Sequence, residues 1–228
     1  MRVLRGRAET RAADRRVTAE LLETAGERGE PAVRVWAPHR QVAFGRRERR
    51  EAGYEAAREA AENRGFAPTE RSVGGRAVAY TGSTLAFALA LPVEEMRSGM
   101  GERYEHTTER VQRALWRVGA PVQRGEPANS FCPGRHSLSY RGKLVGIAQR
   151  VRSDSALVSG IVVVDDHEEI AAVLEPVYAA LDSPFDPDTV GSVARAGGRA
   201  DPRTVAREIE SSLVGDREAR IDRIDRKP

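Results

Sequence analysis

The chain has 228 residues, 40% hydrophobic and 31% charged, and its 37 Lys and Arg against 34 Asp and Glu give a net charge of +3. That length suits one large domain or two small ones, and the interspersed charges argue against a dedicated nucleic-acid binder while leaving room for an acidic protein partner. A single cysteine excludes a disulfide framework and a multi-cysteine zinc site, no apolar stretch approaches the ~20 residues of a membrane helix, and the arginine-rich start lacks a signal-peptide core, so a reducing, cytoplasmic setting is expected.

Ala13, Val17, Leu21 and Ala25 recur every four residues and predict a helix from Thr10 to Glu27, ended by Gly29 and Pro31. Val33–Trp36 and Gln41–Gly45 read as short strands around the Pro38 turn. Glu51–Asn63 reads as an alanine-rich helix closed by Gly65, and Phe66–Arg71 as a strand. Two more strands, Ala77–Tyr80 and Thr84–Leu91, follow the Gly74-Gly75 interruption. Tyr104, Val111, Leu115 and Val118 share one helical face, which predicts a helix over Gly101–Arg117 stopped at Gly119-Ala120-Pro121. Ser137–Val164 reads as three strands turned at Arg141-Gly142 and at Arg152–Asp154, with Ile161–Val164 a central run. Two helices, Glu168–Leu174 and Pro176–Leu181, and a last one, Pro202–Leu213 capped by Asp201, complete the pattern. The expected fold is a single α+β domain over residues 1–215, a mixed or antiparallel central sheet of about six or more strands flanked by helices. Residues 216–228 read as a charged, frayed tail.

Only two lysines occur, Lys143 and Lys227, so the internal one marks either a place where arginine does not serve or a compositional accident. Cys132 lies eleven residues upstream in Ser130-Phe131-Cys132-Pro133-Gly134. It reads as a loop-presented nucleophilic thiol or as an inert core residue. His136 is a candidate base or an ordinary surface histidine. Lys143, opening a strand after Gly142, reads as a donor to an acyl oxygen or as an edge-strand charge. The glycines in Arg71-Ser72-Val73-Gly74-Gly75-Arg76-Ala77-Val78 fit a ligand cradle flanked by arginines or a plain hairpin turn.

Read together and in order, Trp36–Gly45, Arg71–Val78 and Phe131–Gln149 resemble the lipoate–protein ligase and octanoyltransferase family, whose fold is shared with the catalytic domain of biotin–protein ligases. Arg71, Gly74 and Gly75 match its Arg-x-x-Gly-Gly pattern, and Gly142-Lys143-Leu144-Val145-Gly146-Ile147-Ala148-Gln149 is similar to the stretch around its acyl-binding lysine. The resemblance runs from about Asp14 to Ser192. Where ATP-dependent ligases carry Asn-Asp, this chain has Asn129 and then a cysteine in place of the acid, which resembles the cysteine-dependent amidotransferase branch. Ala86 and Ser159 depart from the asparagine and histidine of many relatives, and nothing after Ser192 resembles a ligase accessory domain.

The resemblance implies an acyltransferase that moves an octanoyl or lipoyl group through a Cys132 thioester to a lysine of a lipoyl domain. Lys143 would be catalytic beside it, and Arg71, Gly74, Gly75, Arg76, Ala77, Gly142, Gly146 and Ala148 would bind substrate. Partners would be lipoyl domains of 2-oxoacid dehydrogenases and the glycine-cleavage H protein, with no nucleic acid and no membrane. The transferase reading requires no cofactor or metal; the alternative, an ATP-dependent ligase, requires ATP and Mg. A non-catalytic module that holds an acylated domain is the third reading. Val78, Leu85 and Ile147 are candidate walls for an acyl tunnel.

Overall fold

Leu85 to Pro92 shows how this sequence builds its layers. The computed structural model describes residues 1–71, 74–95 and 98–224; Ser72, Val73 and Lys227 therefore lie outside the described residues. Leu85, Phe87 and Leu89 point to one face of their strand and Ala86, Ala88 and Ala90 to the other, the two-residue period of an extended chain. The large side chains enter the main core. The alanines leave the opposite face shallow, and a helix packs closely there.

The elements in chain order are β1 (Arg2–Arg5), α1 (Arg11–Arg28), β2 (Ala32–Trp36), β3 (Gln41–Phe44), α2 (Tyr54–Glu62), β4 (Ala67–Glu70), β5 (Val78–Tyr80) and β6 (Leu85–Pro92), then α3 (Met100–Arg117), β7 (Gln123–Arg124), β8 (Ser137–Ser139), β9 (Lys143–Val151), β10 (Ser155–Val162), α4 (His167–Ala180), α5 (Pro202–Val214) and β11 (Arg220–Arg223). Short 3-10 turns lie at Glu48–Arg50 and Pro187–Thr189. The main sheet has eight strands in the order β11-β1-β2-β6-β10-β9-β8-β7, and a second sheet has the order β4-β3-β5. From β2 through β7 every neighbouring pair in the main sheet is antiparallel, whereas β1 runs parallel to both β2 and β11. Helices α3 and α5 cover one face of the main sheet and α1 the other, while α2 and α4 pack together beside the small sheet. This is the expected α+β arrangement of a mixed sheet flanked by helices.

The helix ends read from sequence are present. Thr10 accepts from the N–H of Ala13 at 3.2 Å, Gly29 turns out of α1 at φ 63°, and Asp201 accepts from the N–H of Thr204 at 2.8 Å. Two expectations need correction. The predicted pair of helices around Pro176 is one helix, α4. A proline inside a helix strips the carbonyl four residues back of its donor. Here that carbonyl belongs to Ala172, and the Arg64 guanidinium donates to it. The second correction is the tail. Rather than fraying from residue 216, the chain returns as β11 and pairs in register with β1, Arg2 opposite Arg220, so the sheet extends past residue 215. An outer strand draws its stability from backbone pairing and can carry charge on its side chains, which is why Arg220-Ile221-Asp222-Arg223 reads as loop. The Arg2–Asp222 ion pair at 2.5 Å reinforces it. Residues 225–228 lie outside the described residues.

Candidate active site

Cys132 sits in the bend between β7 and β8 with φ at 43°, a left-handed conformation that a residue with a Cβ keeps only when its surroundings hold it. Here every polar group of the residue is engaged. Its N–H donates to the Tyr178 hydroxyl at 2.6 Å, and that hydroxyl donates on to the Ala77 carbonyl at 2.9 Å. Its carbonyl accepts from Lys143 Nζ at 2.6 Å. Its Sγ accepts from Arg71 Nη2 at 3.1 Å. Burial pushes the Tyr178 phenol well above its ordinary range, so the hydroxyl stays protonated and keeps bridging the cysteine loop to the start of β5.

Lys143 opens β9 and is fully buried. Its ammonium is 2.6 Å from Glu126 Oε2, and the Phe131 ring centre lies 5.1 Å away. Glu126 also accepts from Ser137 Oγ and from the N–H of Gly134, both at 2.8 Å. The ion pair thus grips the Cys132-Pro133-Gly134 bend on both sides, the lysine at the carbonyl of 132 and the carboxylate at the amide of 134. A buried cation needs such a partner, because desolvation of an unpaired charge costs several kcal/mol.

Arg71 follows β4 and reaches the sulfur from the opposite side. Desolvation works against its charge, but the Cys132 sulfur, by charge and by hydrogen bond, together with Tyr80 and Tyr178 outweighs this, and the guanidinium pKa lies above its ordinary value. Burial pushes the neighbouring Tyr80 phenol up to about 12, against the pull of Arg71. Arg71 also donates to the Arg76 carbonyl, while its Nε is buried with no partner among the described residues. The glycine loop passes over this contact. Gly75 has φ 98°, and a Cβ there would lie 2.6 Å from both Cys132 Sγ and Arg71 Nη2. Glu48 holds the loop's frame, accepting from the N–H groups of Gly45 at 2.6 Å and Ala77 at 2.9 Å; its burial raises the carboxyl pKa, and those two N–H groups oppose the rise. Gly75→Ala should therefore displace the sulfur or the guanidinium. The expected result is a fall in Cys132 alkylation rate of about tenfold or more in a protein that still folds cooperatively, with a melting temperature lowered by the strain of a Cβ at φ 98°. A parental alkylation rate would show that the close approach is not needed.

Cys132 opens onto a cavity of about 1160 Å³ between α1, the alanine face of the main sheet and the small sheet. Arg71, Gly74, Gly75, Gly146 and Ala148 line it with Cys132, and Trp36, Gln41 and Ala43 do so from the first segment, so all three sequence segments converge there. Four expected site residues do not line it. Lys143 lies behind the cysteine loop rather than in the cavity it was expected to share with the thiol. Arg76 turns to Glu51, at 3.3 Å. Ala77 is buried with its carbonyl on Tyr178. Gly142, at φ 119°, packs against Gly191, where a Cβ would come within 2.6 Å of the backbone nitrogen. Of the expected tunnel walls only Ile147 lines the cavity; Leu85 points to the far face of β6 and Val78 into the core beside α4. Trp36, Ala86, Leu157 and Ile161 supply the apolar wall instead. The two departures from the family pattern, Ala86 and Ser159, both lie on it. His136 lines the cavity too, stacked on Tyr104 with ring centres 4.0 Å apart.

Sequence reading missed Tyr178, Glu126, Glu48 and the α1 wall. Glu126 had a usable signal, since a lone lysine at the start of a buried strand requires a carboxylate nearby. Tyr178 had none; it is 46 residues from the cysteine and sits in an ordinary apolar helix face.

Residues 12–206 match the family model of the lipoyl protein ligase A/B catalytic domain. Curated relatives include the octanoyl-GcvH:protein N-octanoyltransferase of Bacillus velezensis, 29% identical over 75% of this chain and 61% of its own length. That of Exiguobacterium sibiricum is 30% identical over 65% of this chain and 55% of its own. The chain thus spans a little over half the length of these relatives. Among solved structures, protein Ta0514 from T. acidophilum with bound lipoic acid aligns at a TM-score of 0.73, with 19% identity over 98% of this chain and 89% of that one. Lipoate-protein ligase A bound with ATP aligns at 0.68, with 18% identity over 98% and 88%. At these identities the structures show the fold.

Proposed function

Since the chain belongs to the lipoyl protein ligase A/B catalytic-domain family, we propose that it is an acyltransferase of protein lipoylation, carrying an octanoyl or lipoyl group on Cys132. The observation that carries the reading is the sulfur itself: a cavity-lining thiol in a constrained left-handed bend, 3.1 Å from a guanidinium. A structural cysteine needs neither the strain nor the cation. The relatives' shared name, which makes the octanoyl group of GcvH the donor and a protein the acceptor, supports the same chemistry.

In the first step the Cys132 sulfur attacks the acyl carbonyl carbon of the donor. A C–S bond forms, the C–N bond to the donor's lysine breaks, and the thiol's proton leaves on the donor amine. In the second step the neutral amine of an acceptor lysine attacks the thioester, the C–N bond forms, the C–S bond breaks, and the proton lost by the amine passes to the departing sulfur, restoring the thiol. Arg71 donates to the Cys132 sulfur, and its Nε–H, without a partner among the described residues, is a donor available to the acyl oxygen as negative charge develops there. Lys143 acts at one remove, fixing the cysteine loop through its carbonyl. The alkyl chain lies against Trp36, Ala86, Leu157 and Ile161.

The exchange replaces one acyl bond by another, so it draws on no ATP. The donor is the octanoylated H protein and the acceptors are lipoyl domains, and the compartment is the cytoplasm, where one thiol stays reduced. No described helix is long and apolar enough to cross a membrane. The test is transfer from octanoylated H protein to an apo lipoyl domain without nucleotide. Octanoyl gain by the acceptor is expected. Gain only from free octanoate with ATP and Mg would assign the chain to the ligases instead.

A further inference from the structure

The cavity mouth carries a charge that the acyl chemistry does not use. Arg11, Arg15 and Arg16 on α1, Arg46 after β3, Arg135 in the cysteine loop and Arg150 on β9 all line the cavity and are exposed. None of the six makes an ion pair among the described residues. The acids along the same lining, Asp14, Glu23 and Glu70, are already matched to Arg34, Arg152 and Arg49. The whole chain carries only +3; with those six set aside, the remaining 31 cations face 34 acids, a net −3. The chain's formal positive excess can thus be assigned to this lining.

An acceptor lysine brings its own positive charge to this opening and is repelled by it. Entry is favourable only if the lysine arrives on a surface that over-compensates, with several carboxylates placed to meet the ring while the lysine passes through its centre. We infer that the arginine ring is the docking surface for a folded acceptor domain whose target lysine is flanked by acidic residues, and that it selects such domains over other lysine-bearing proteins. The inference rests on the acyl-transfer reading for its occupant. Opposite fields of this kind raise encounter rates and reject like-charged partners, and their effect falls with ionic strength.

The experiment compares the parent with the Arg15→Glu/Arg16→Glu/Arg150→Glu variant, three exposed positions outside the thiol site. Binding of an apo lipoyl domain chosen to carry carboxylates beside its lysine is measured by fluorescence anisotropy at low and at physiological ionic strength, beside the same domain with those carboxylates changed to amides. The parent should bind the acidic domain at least about tenfold more tightly at low salt, and both the triple variant and the amide domain should lose that gain. In parallel, Cys132 acylation by a neutral small thioester and its discharge by hydroxylamine should be the same in parent and variant. Equal binding of acidic and amide domains, or a triple variant that binds as the parent does, would overturn the inference. So would tighter binding of duplex DNA than of the acidic domain. Failure of Cys132 to acylate in the parent would count against the acyl-transfer reading alone, since the binding arm does not depend on it.

Discussion

Cys132→Ala should abolish acyl transfer, by at least ~10³-fold, in a protein that folds as the parent does. The side chain lies in a loop, only partly buried, and its removal leaves the Tyr178 and Lys143 bonds intact because both go to the backbone of residue 132. Arg71 loses one partner and keeps the Arg76 carbonyl. Cys132→Ser should be nearly as inactive, since a hydroxyl has no comparable ionised form at neutral pH and the structure sets a guanidinium, not a base, beside that position. The measurement is octanoyl transfer to a lipoyl domain with the melting temperature as control. Transfer by Cys132→Ala at more than a few per cent of the parental rate would remove the thiol from the mechanism.

Lys143→Met should cost both stability and activity, and the two losses separate. The methionine fills most of the lysine's space but leaves the Glu126 carboxylate without its cation. Breaking a buried pair in this way costs about 3 kcal/mol, and somewhat less here because Glu126 is 19% exposed. Urea unfolding should show that loss, and the double variant Lys143→Met/Glu126→Gln should recover most of it by removing the orphaned charge. Transfer should stay low in both, by about a hundredfold, because neither holds the carbonyl of residue 132 and the bend relaxes away from φ 43°. Lys143→Arg should fare little better, since a planar fork does not fit where Nζ sits 2.6 Å from two oxygens. Recovery of transfer along with stability in the double variant would make the pair a purely structural feature.

The parts of this protein that were legible in its sequence are those governed by local rules. Thr10 and Gly29 bracket α1, Asp201 starts α5, and the glycine turn at Gly142 starts β9 because caps and turns are written within four or five residues. Three separated segments also pointed to one site, and they do converge on the Cys132 cavity. What stayed hidden depends on tertiary placement. Lys143 was expected in the cavity because of its rarity, but rarity says nothing of direction; its partner Glu126, from the segment after β7, draws it behind the loop. Val78 and Leu85 were expected as tunnel walls on hydrophobicity alone, and the pleat sends them to other cores. Pro176 reads as a helix boundary until Arg64 arrives from 108 residues away to satisfy Ala172. The unmatched arginines of the mouth were hidden within a near-neutral total, and only folding gathers them on one side.

The central claim, that Cys132 carries the acyl group, is tested most directly by intact-mass spectrometry of the protein mixed with octanoylated H protein alone, without ATP and without acceptor. The account predicts a fraction of enzyme heavier by one octanoyl group, mapped to Cys132, released by hydroxylamine and discharged on addition of a lipoyl domain. An unmodified enzyme under these conditions, together with octanoylation of the lipoyl domain only when ATP and free octanoate are supplied, would contradict it.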